Sequence, residues 1–109
     1  MLTKLKNALE ATGIHFAEMA WDKKPDSDYG VYALDSQAGS VWADGHMRDQ
    51  ILEGTIDVFS KTGGVSIINL IQDALNTVDS LSWYLSSIQY ESDTRLIHYE
   101  WVFSFAMVG

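Results

Sequence analysis

The sequence has no cysteine, only one proline and few basic residues. Without cysteine it can form neither a disulfide framework nor a zinc site with thiolate ligands. Seven lysines and arginines stand against fifteen aspartates and glutamates, which gives a formal net charge of −8. Because binding to phosphate backbones depends on basic side chains, this charge disfavours nucleic-acid binding. No stretch approaches the roughly 20 apolar residues of a membrane helix, so we expect no membrane partner.

Apolar and aromatic side chains are abundant. Of the 109 residues, 47% are hydrophobic, and four Trp, five Tyr and four Phe supply large surfaces for burial. A chain of this length builds one modest core, so we predict a single domain over residues 1–109.

The C-terminal third has the clearest pattern. Residues 83–105 predict two long strands joined by a polar turn around residues 91–94. Side chains on a strand alternate between faces, so the second strand has an aromatic face and a mostly polar face. The aromatic face carries Ile97, Tyr99, Trp101, Phe103 and Phe105. An aromatic face of this size requires another layer packed over it.

Two segments have the periodicity of amphipathic helices. Apolar residues recur every three or four positions over residues 2–11 and 65–76, so each is predicted to be a helix. Alternating patterns predict three strands before the second helix, over residues 14–21, 29–34 and 47–60.

The connections complete the predicted order of elements. Residues 22–28 form a polar connection, residues 35–40 are turn-like, and residues 41–44 fit either a short strand or a loop. The resulting order, α-β-β-(β)-β-α-β-β, predicts an α+β fold. We expect a mainly antiparallel sheet with two helices packed on one face.

The other face of this sheet is predicted to be polar. It carries Glu53, Thr55, Asp57, His98 and Glu100. Nothing in the sequence places these carboxylates in a pocket, so we expect a face that meets water or another subunit. We predict no catalytic residues.

Metal-binding patterns are weak. The histidines His15, His46 and His98 lie on different predicted elements and share no ligand spacing. An aspartate-rich turn begins like a calcium loop, but oxygen donors are missing where Gly30 and Gln37 stand. We therefore predict no metal site and no cofactor.

Three strand segments stand out together. They are DYGVYALD at residues 28–35, VWAD at 41–44 followed by LEGTIDVF at 52–59, and residues 83–105 with IHYEWVF at 97–103. Together they resemble the tail-terminator, or tail-completion, proteins of long-tailed phages and prophages. The resemblance covers about residues 14–105 and depends on the order of elements and on the strand sequences.

The resemblance implies a structural virion protein and not an enzyme. Such proteins assemble as a hexameric ring on the last ring of the tail tube, stop its growth and join the tail to the head connector. The implied partners are further copies of the chain, the tail tube protein and the head–tail connector protein. DNA would pass through the lumen without specific binding. The implied location is the neck of the virion tail, after synthesis in the host cytoplasm.

Candidate contact residues follow from the polar face and from two predicted loops, at residues 22–28 and 35–47. The polar face is a candidate lumen wall or subunit seam. Loops often carry binding function, so the loops supply further interface candidates. These are Asp22, Asp26, Asp28, Trp42 and Asp44. Trp42 fits an interface anchor and a core residue equally well.

Two alternatives stay open. The chain also fits another head–tail connector component, either a stopper or an adaptor, because composition does not separate these roles. A small ligand-binding α+β domain is the third hypothesis. It would require a closed pocket with convergent polar groups.

Overall fold

The computed structural model describes residues 1–43 and 45–108, and the side chains of these residues apart from 41–43, 46–49 and 108. Two helices and five strands occur in this part of the chain. The helices are α1 (Leu2–Glu10) and α2 (Val65–Asn76). The strands are β1 (His15–Glu18), β2 (Tyr29–Ala43), β3 (His46–Ser60), β4 (Ser82–Glu91) and β5 (Leu96–Val108).

The five strands form one sheet in the order β1-β2-β3-β5-β4. The β1–β2 pair is parallel, and the other three pairs are antiparallel. The predicted α+β fold with a mainly antiparallel sheet is therefore confirmed. Neither α1 nor α2 has the length and apolar character needed to span a bilayer.

The prediction for the second strand was wrong in its length. It ended the strand at Leu34, took residues 35–40 as turn-like and left residues 41–44 open between a short strand and a loop. In the structure, β2 continues to Ala43 as one arm of a hairpin with β3. The β2–β3 register shifts between Leu34 and Ser36 and again between Gln37 and Gly39. Each bulge inserts a residue that breaks the alternation of side chains, so a paired strand there has the sequence pattern of a turn.

The first strand is shorter than predicted. It ends at Glu18, because Met19 has a φ of 70°, a left-handed conformation that a strand does not continue through. Trp21, which the prediction placed in the strand, lies in the connection to β2. Its indole Nε1 donates a hydrogen bond to the carbonyl oxygen of Gly30 at 2.9 Å, which fixes the connection against β2.

The core lies on the side of the sheet to which the aromatic residues of β5 point; we call it the core side. The predicted burial of this aromatic row is confirmed, since Tyr99, Trp101 and Phe103 are at most 2% exposed. The same cluster includes fully buried residues of β3 and of both helices, namely Ile56, Val58, Leu5, Leu9, Ile71 and Leu75. That both helices pack on this one face stays a prediction, which the shared cluster supports.

Hydrogen bonds attach the beginning of α2 to the core side of β5. The backbone N–H of Gly64, which precedes α2, donates to the hydroxyl oxygen of Tyr99 at 2.6 Å. About two turns further along α2, the indole Nε1 of Trp101 donates to Oε1 of Gln72 at 3.3 Å. Gly63 has a φ of 58°, and a Cβ there would meet the Tyr99 hydroxyl. The two glycines therefore allow the chain to turn sharply over β5 and enter α2.

The molecule is elongated, measuring 52 × 26 × 24 Å along its principal axes. Strands β2 and β3 have 15 residues each, and a strand of that length extends about 50 Å. The long strands account for the long dimension. Most side chains of β2 between Leu34 and Ser40 are exposed, so this end of the sheet extends beyond the core.

Candidate functional site

The side of the sheet opposite the core side carries the polar row predicted from the sequence; we call it the open side. Strand alternation places Glu53, Thr55 and Asp57 of β3 and His98 and Glu100 of β5 on this side, away from the buried residues between them. Asp57 and Glu100 are direct partners in the β3–β5 register. All five side chains are half-buried, so the sheet surface shields them in part from water.

His98 lies at the centre of a compact group of ionisable side chains. Its Nε2 is 2.6 Å from Oδ1 of Asp57, and its Nδ1 is 3.6 Å from Oε2 of Glu91. The side chains of His98 and Asp57 are each 22% exposed. One ligand atom each from Asp57, His98 and Glu100 lies within 4.8 Å of the others. The fold thus brings three of the five predicted residues into a single cluster.

A row of stacked rings borders this cluster. The Phe59 ring stacks on the His98 imidazole, with centroids 4.3 Å apart and planes inclined by 20°. Tyr29 stacks on the other side of Phe59 at 4.9 Å, and Trp21 meets Tyr29 edge-on. The Lys24 ammonium lies 5.7 Å from the centroid of the Tyr29 ring, within the range of a cation–π contact. The stack restrains the plane of the imidazole beside the carboxylates.

Two of the three side chains in the cluster are carboxylates on neighbouring strands. Like charges directly opposite each other on neighbouring strands repel, and Asp57 and Glu100 form such a pair. Among the described side chains, no lysine or arginine forms an ion pair with either carboxylate. Among the described side chains, the His98 imidazole is the group that lies against Asp57, at 2.6 Å.

The remaining residues of the predicted row do not join the cluster. Glu53 and Thr55 lie further along β3, opposite Ser104 and Val102. They extend the polar character of the open side toward the exposed end of the sheet.

The predicted interface residues lie in different structural environments. Asp22 and Asp26 are exposed in the connection before β2, as predicted for a loop. Asp28 has a structural role, since its carboxylate accepts hydrogen bonds from the Ser60 hydroxyl at 2.7 Å and from the backbone N–H of Lys61 at 3.2 Å.

The other two interface candidates lie in the β2–β3 hairpin. Residues 41–44 were left open between a short strand and a loop, and the loop alternative was wrong for Trp42, which lies in β2 and pairs with Met47 of β3. Its side chain lies outside the described residues, and Asp44 lies outside them altogether.

The predicted polar row did not include Glu91 and Phe59, which both contact His98 in the structure. Phe59 continues the alternating row of Glu53, Thr55 and Asp57, so the same periodicity could have included it. Glu91 was assigned to the turn of the β4–β5 hairpin, but it ends β4 and pairs with Leu96. The position of the turn would have been needed to place Glu91 beside His98.

The open side is distinct from the hollows on the helical surface. An open hollow of about 480 Å³ is lined by Lys4, Asn7, Ala8, Thr77, Val78 and Asp79. Its charged groups are one ammonium and one carboxylate, and they lie on α1 and after α2.

A comparison with models of known protein families and a search of curated proteins both find no match to this chain.

Proposed function

We propose that this chain is a structural subunit that forms a ring at the end of a phage-type tail tube. In this role it ends polymerisation of the tube and joins the tail to the head connector. The resemblance of three strand segments to tail-terminator proteins motivates the proposal. One structural observation supports it most directly: the single sheet has an unpaired edge at each end.

The first free edge is β4, which pairs with β5 on one side and is the last strand of the sheet. Its ten residues, SWYLSSIQYE, include no lysine, arginine or proline, which are the residues that commonly protect an edge strand from pairing. Three large side chains on it are exposed, namely Tyr84 (59%), Ile88 (51%) and Tyr90 (65%). This edge therefore offers both backbone hydrogen-bonding groups and apolar surface to a partner.

The second free edge belongs to β2. Strand β1 pairs with β2 only from Tyr29 to Tyr32. Beyond Tyr32, no other described strand pairs with this side of β2. A sister copy that places its β4 along this edge would continue the sheet from one subunit to the next. Contacts between two different surfaces of identical subunits are head-to-tail, and they form a ring when the rotation closes.

The charge of the chain fits a channel for DNA. Each copy has a net charge of −8, and a hexamer would have six times that charge. The open side carries Glu53, Asp57 and Glu100, which would form an acidic wall if it faced the lumen. Such a wall repels the phosphate backbone and lets DNA pass without being held.

Native mass spectrometry of the purified chain, alone and with tail tubes of the same phage, tests the ring. We expect a closed oligomer that caps one end of each tube, visible by electron microscopy. The double substitution Tyr84→Lys/Ile88→Lys adds charge to the β4 edge and should lower the oligomer fraction at least about tenfold, because two ammonium groups would then have to lose water at the subunit interface.

The matched control is Val65→Lys/Leu70→Lys, which makes the same charge change at two exposed apolar residues of α2, away from both free edges. It should assemble like the unmodified chain. A strict monomer that never caps tubes would contradict the proposal. Location on the head side of the junction in assembled virions would instead identify a stopper.

A further inference from the structure

We propose that Asp57, His98 and Glu100 form a binding site for one Zn²⁺ ion on the open side of the sheet. The proposal is independent of ring formation, because all three residues belong to one copy of the chain. It depends on the geometry of the cluster, on its donor atoms and on the groups that surround His98.

The spacing of the donor atoms is close to that of a zinc site. One ligand atom from each residue already lies within 4.8 Å of the others. Zinc bonds to nitrogen and carboxylate oxygen are about 2.0–2.2 Å long, so tetrahedral ligand atoms lie roughly 3.3–3.6 Å apart. Small side-chain rotations would draw Glu100 inward. The hydrogen-bonded Nε2 of His98 and Oδ1 of Asp57, at 2.6 Å, would separate by about 0.7–1.0 Å to admit the ion.

The donor set favours zinc over magnesium or calcium. Imidazole nitrogen is a preferred ligand of zinc and similar divalent ions, whereas magnesium and calcium prefer oxygen ligands throughout. One imidazole and two carboxylates supply three protein ligands. The fourth tetrahedral position would be left to water, as in open zinc sites.

His98 is already oriented as a ligand. Phe59 stacks on the imidazole and holds its plane. Glu91 lies behind Nδ1 at 3.6 Å, on the opposite side of the ring from Asp57. Histidine ligands of metal ions commonly donate their second N–H to a carboxylate, which fixes the tautomer and strengthens the metal bond. Glu91 therefore has the place of a positioning residue, while Nε2 faces the proposed ion.

The charge balance also favours a cation. Asp57 and Glu100 repel each other across β3 and β5, and no described lysine or arginine forms an ion pair with them. A divalent ion between the two carboxylates would replace this repulsion by attraction. Since the site is half-buried, solvent would screen that attraction less than on an open surface.

Isothermal titration calorimetry with Zn²⁺ alone, and separately with Mg²⁺, on the full chain in chelator-free buffer tests the site. We expect one equivalent of Zn²⁺ to bind and Mg²⁺ to bind at least about tenfold more weakly. Co²⁺, titrated as a coloured substitute, should give the visible absorption bands of a four-coordinate site.

Each of the variants His98→Ala, Asp57→Asn and Glu100→Gln should weaken Zn²⁺ binding by at least about tenfold. Glu91→Gln should weaken it less, because it removes a positioning group and not a ligand. The matched control is His15→Ala, which removes an exposed histidine from β1 and should leave binding unchanged.

Circular dichroism of each variant in the presence of a chelator checks the fold. If His98→Ala does not fold, the near-isosteric Asp57→Asn and Glu100→Gln variants still decide the question. The proposal is overturned if no stoichiometric Zn²⁺ binding occurs, if the folded ligand variants retain it, or if His15→Ala abolishes it.

Discussion

The two sides of β5 differ sharply in burial and in chemistry, although they share one backbone. On the core side, Tyr99, Trp101 and Phe103 are almost completely buried, in a cluster that includes residues of β3 and of both helices. On the open side, the intervening His98, Glu100 and Val102 are half-buried. Neighbouring residues of β5 therefore lie in different environments, one on the core side and the next on the open side.

The core side therefore contributes mainly to the stability of the fold, whereas the open side carries the ionisable groups. The core side consists of large rings whose few polar atoms are hydrogen-bonded, as in the contacts of Tyr99 with Gly64 and of Trp101 with Gln72. The open side carries ionisable groups close enough to interact, with His98 between Asp57 and Glu91. Substitutions on the first side should change the free energy of unfolding, and those on the second should change binding.

The largest effect is expected at the centre of the core side. Replacing Trp101, which is fully buried, by Ala should lower the free energy of unfolding by about 4 kcal/mol, because it removes a large ring and leaves a cavity. The loss of the hydrogen bond to Gln72 adds to this cost. Urea denaturation followed by fluorescence or circular dichroism measures it. Trp101→Phe should recover part of the loss, and a loss below about 1 kcal/mol would contradict the assigned core.

A smaller loss of stability is expected for Val→Ala substitutions, and its size should differ between the two sides of the sheet. Val58→Ala on the core side should cost about 2 kcal/mol, since Val58 is fully buried in the cluster. Val102→Ala on the open side should cost less than about 1 kcal/mol, because that side chain is half-buried. Paired urea titrations measure the difference. Equal costs would show that the open side is covered as completely as the core side.

The smallest effect is expected at high pH. The pKa of Tyr32 is raised above its ordinary value of 10.0, first by burial of the phenol and then by the negative charges of Glu18 and Glu10. The folded chain therefore holds this proton more tightly than the unfolded chain does. Stability from this group is fully present below pH 10 and decreases as the pH rises above 10, where the unfolded chain releases its proton first.

Denaturation at a series of pH values from 9 upward measures the Tyr32 effect. Tyr32→Phe should reduce the decrease in stability with rising pH, and the same substitution at exposed Tyr84 is the control. If Tyr32→Phe leaves the alkaline slope as steep as before, burial of Tyr32 does not determine it.

Much of the fold could be predicted from periodicity. The helices near residues 2–11 and 65–76, the β4–β5 hairpin and the burial of its aromatic row all follow from spacing that the structure confirms. The extension of β2 past Leu34 could not be predicted. Its bulges break the period of two, and its pairing comes from β3, so the local sequence reads as a turn.

The candidate site could be predicted only in part. Alternation placed Asp57, His98 and Glu100 on one side of the sheet, but it gave no distance between them. Their clustering depends on the β3–β5 register, which pairs Asp57 with Glu100 and Phe59 with His98. The contact of Glu91 with His98 depends in addition on where the β4–β5 turn lies.

The sequence by itself determined the sides of the strands, the class of fold and the acidic charge, because these depend on the alternation of side chains and on composition. Only the tertiary structure decided which polar residues meet. Contacts between strands depend on register, and register is set by bulges, turns and the packing of the whole core. The close contact of Asp57 with His98, 41 positions apart along the chain, is therefore a property of the folded sheet.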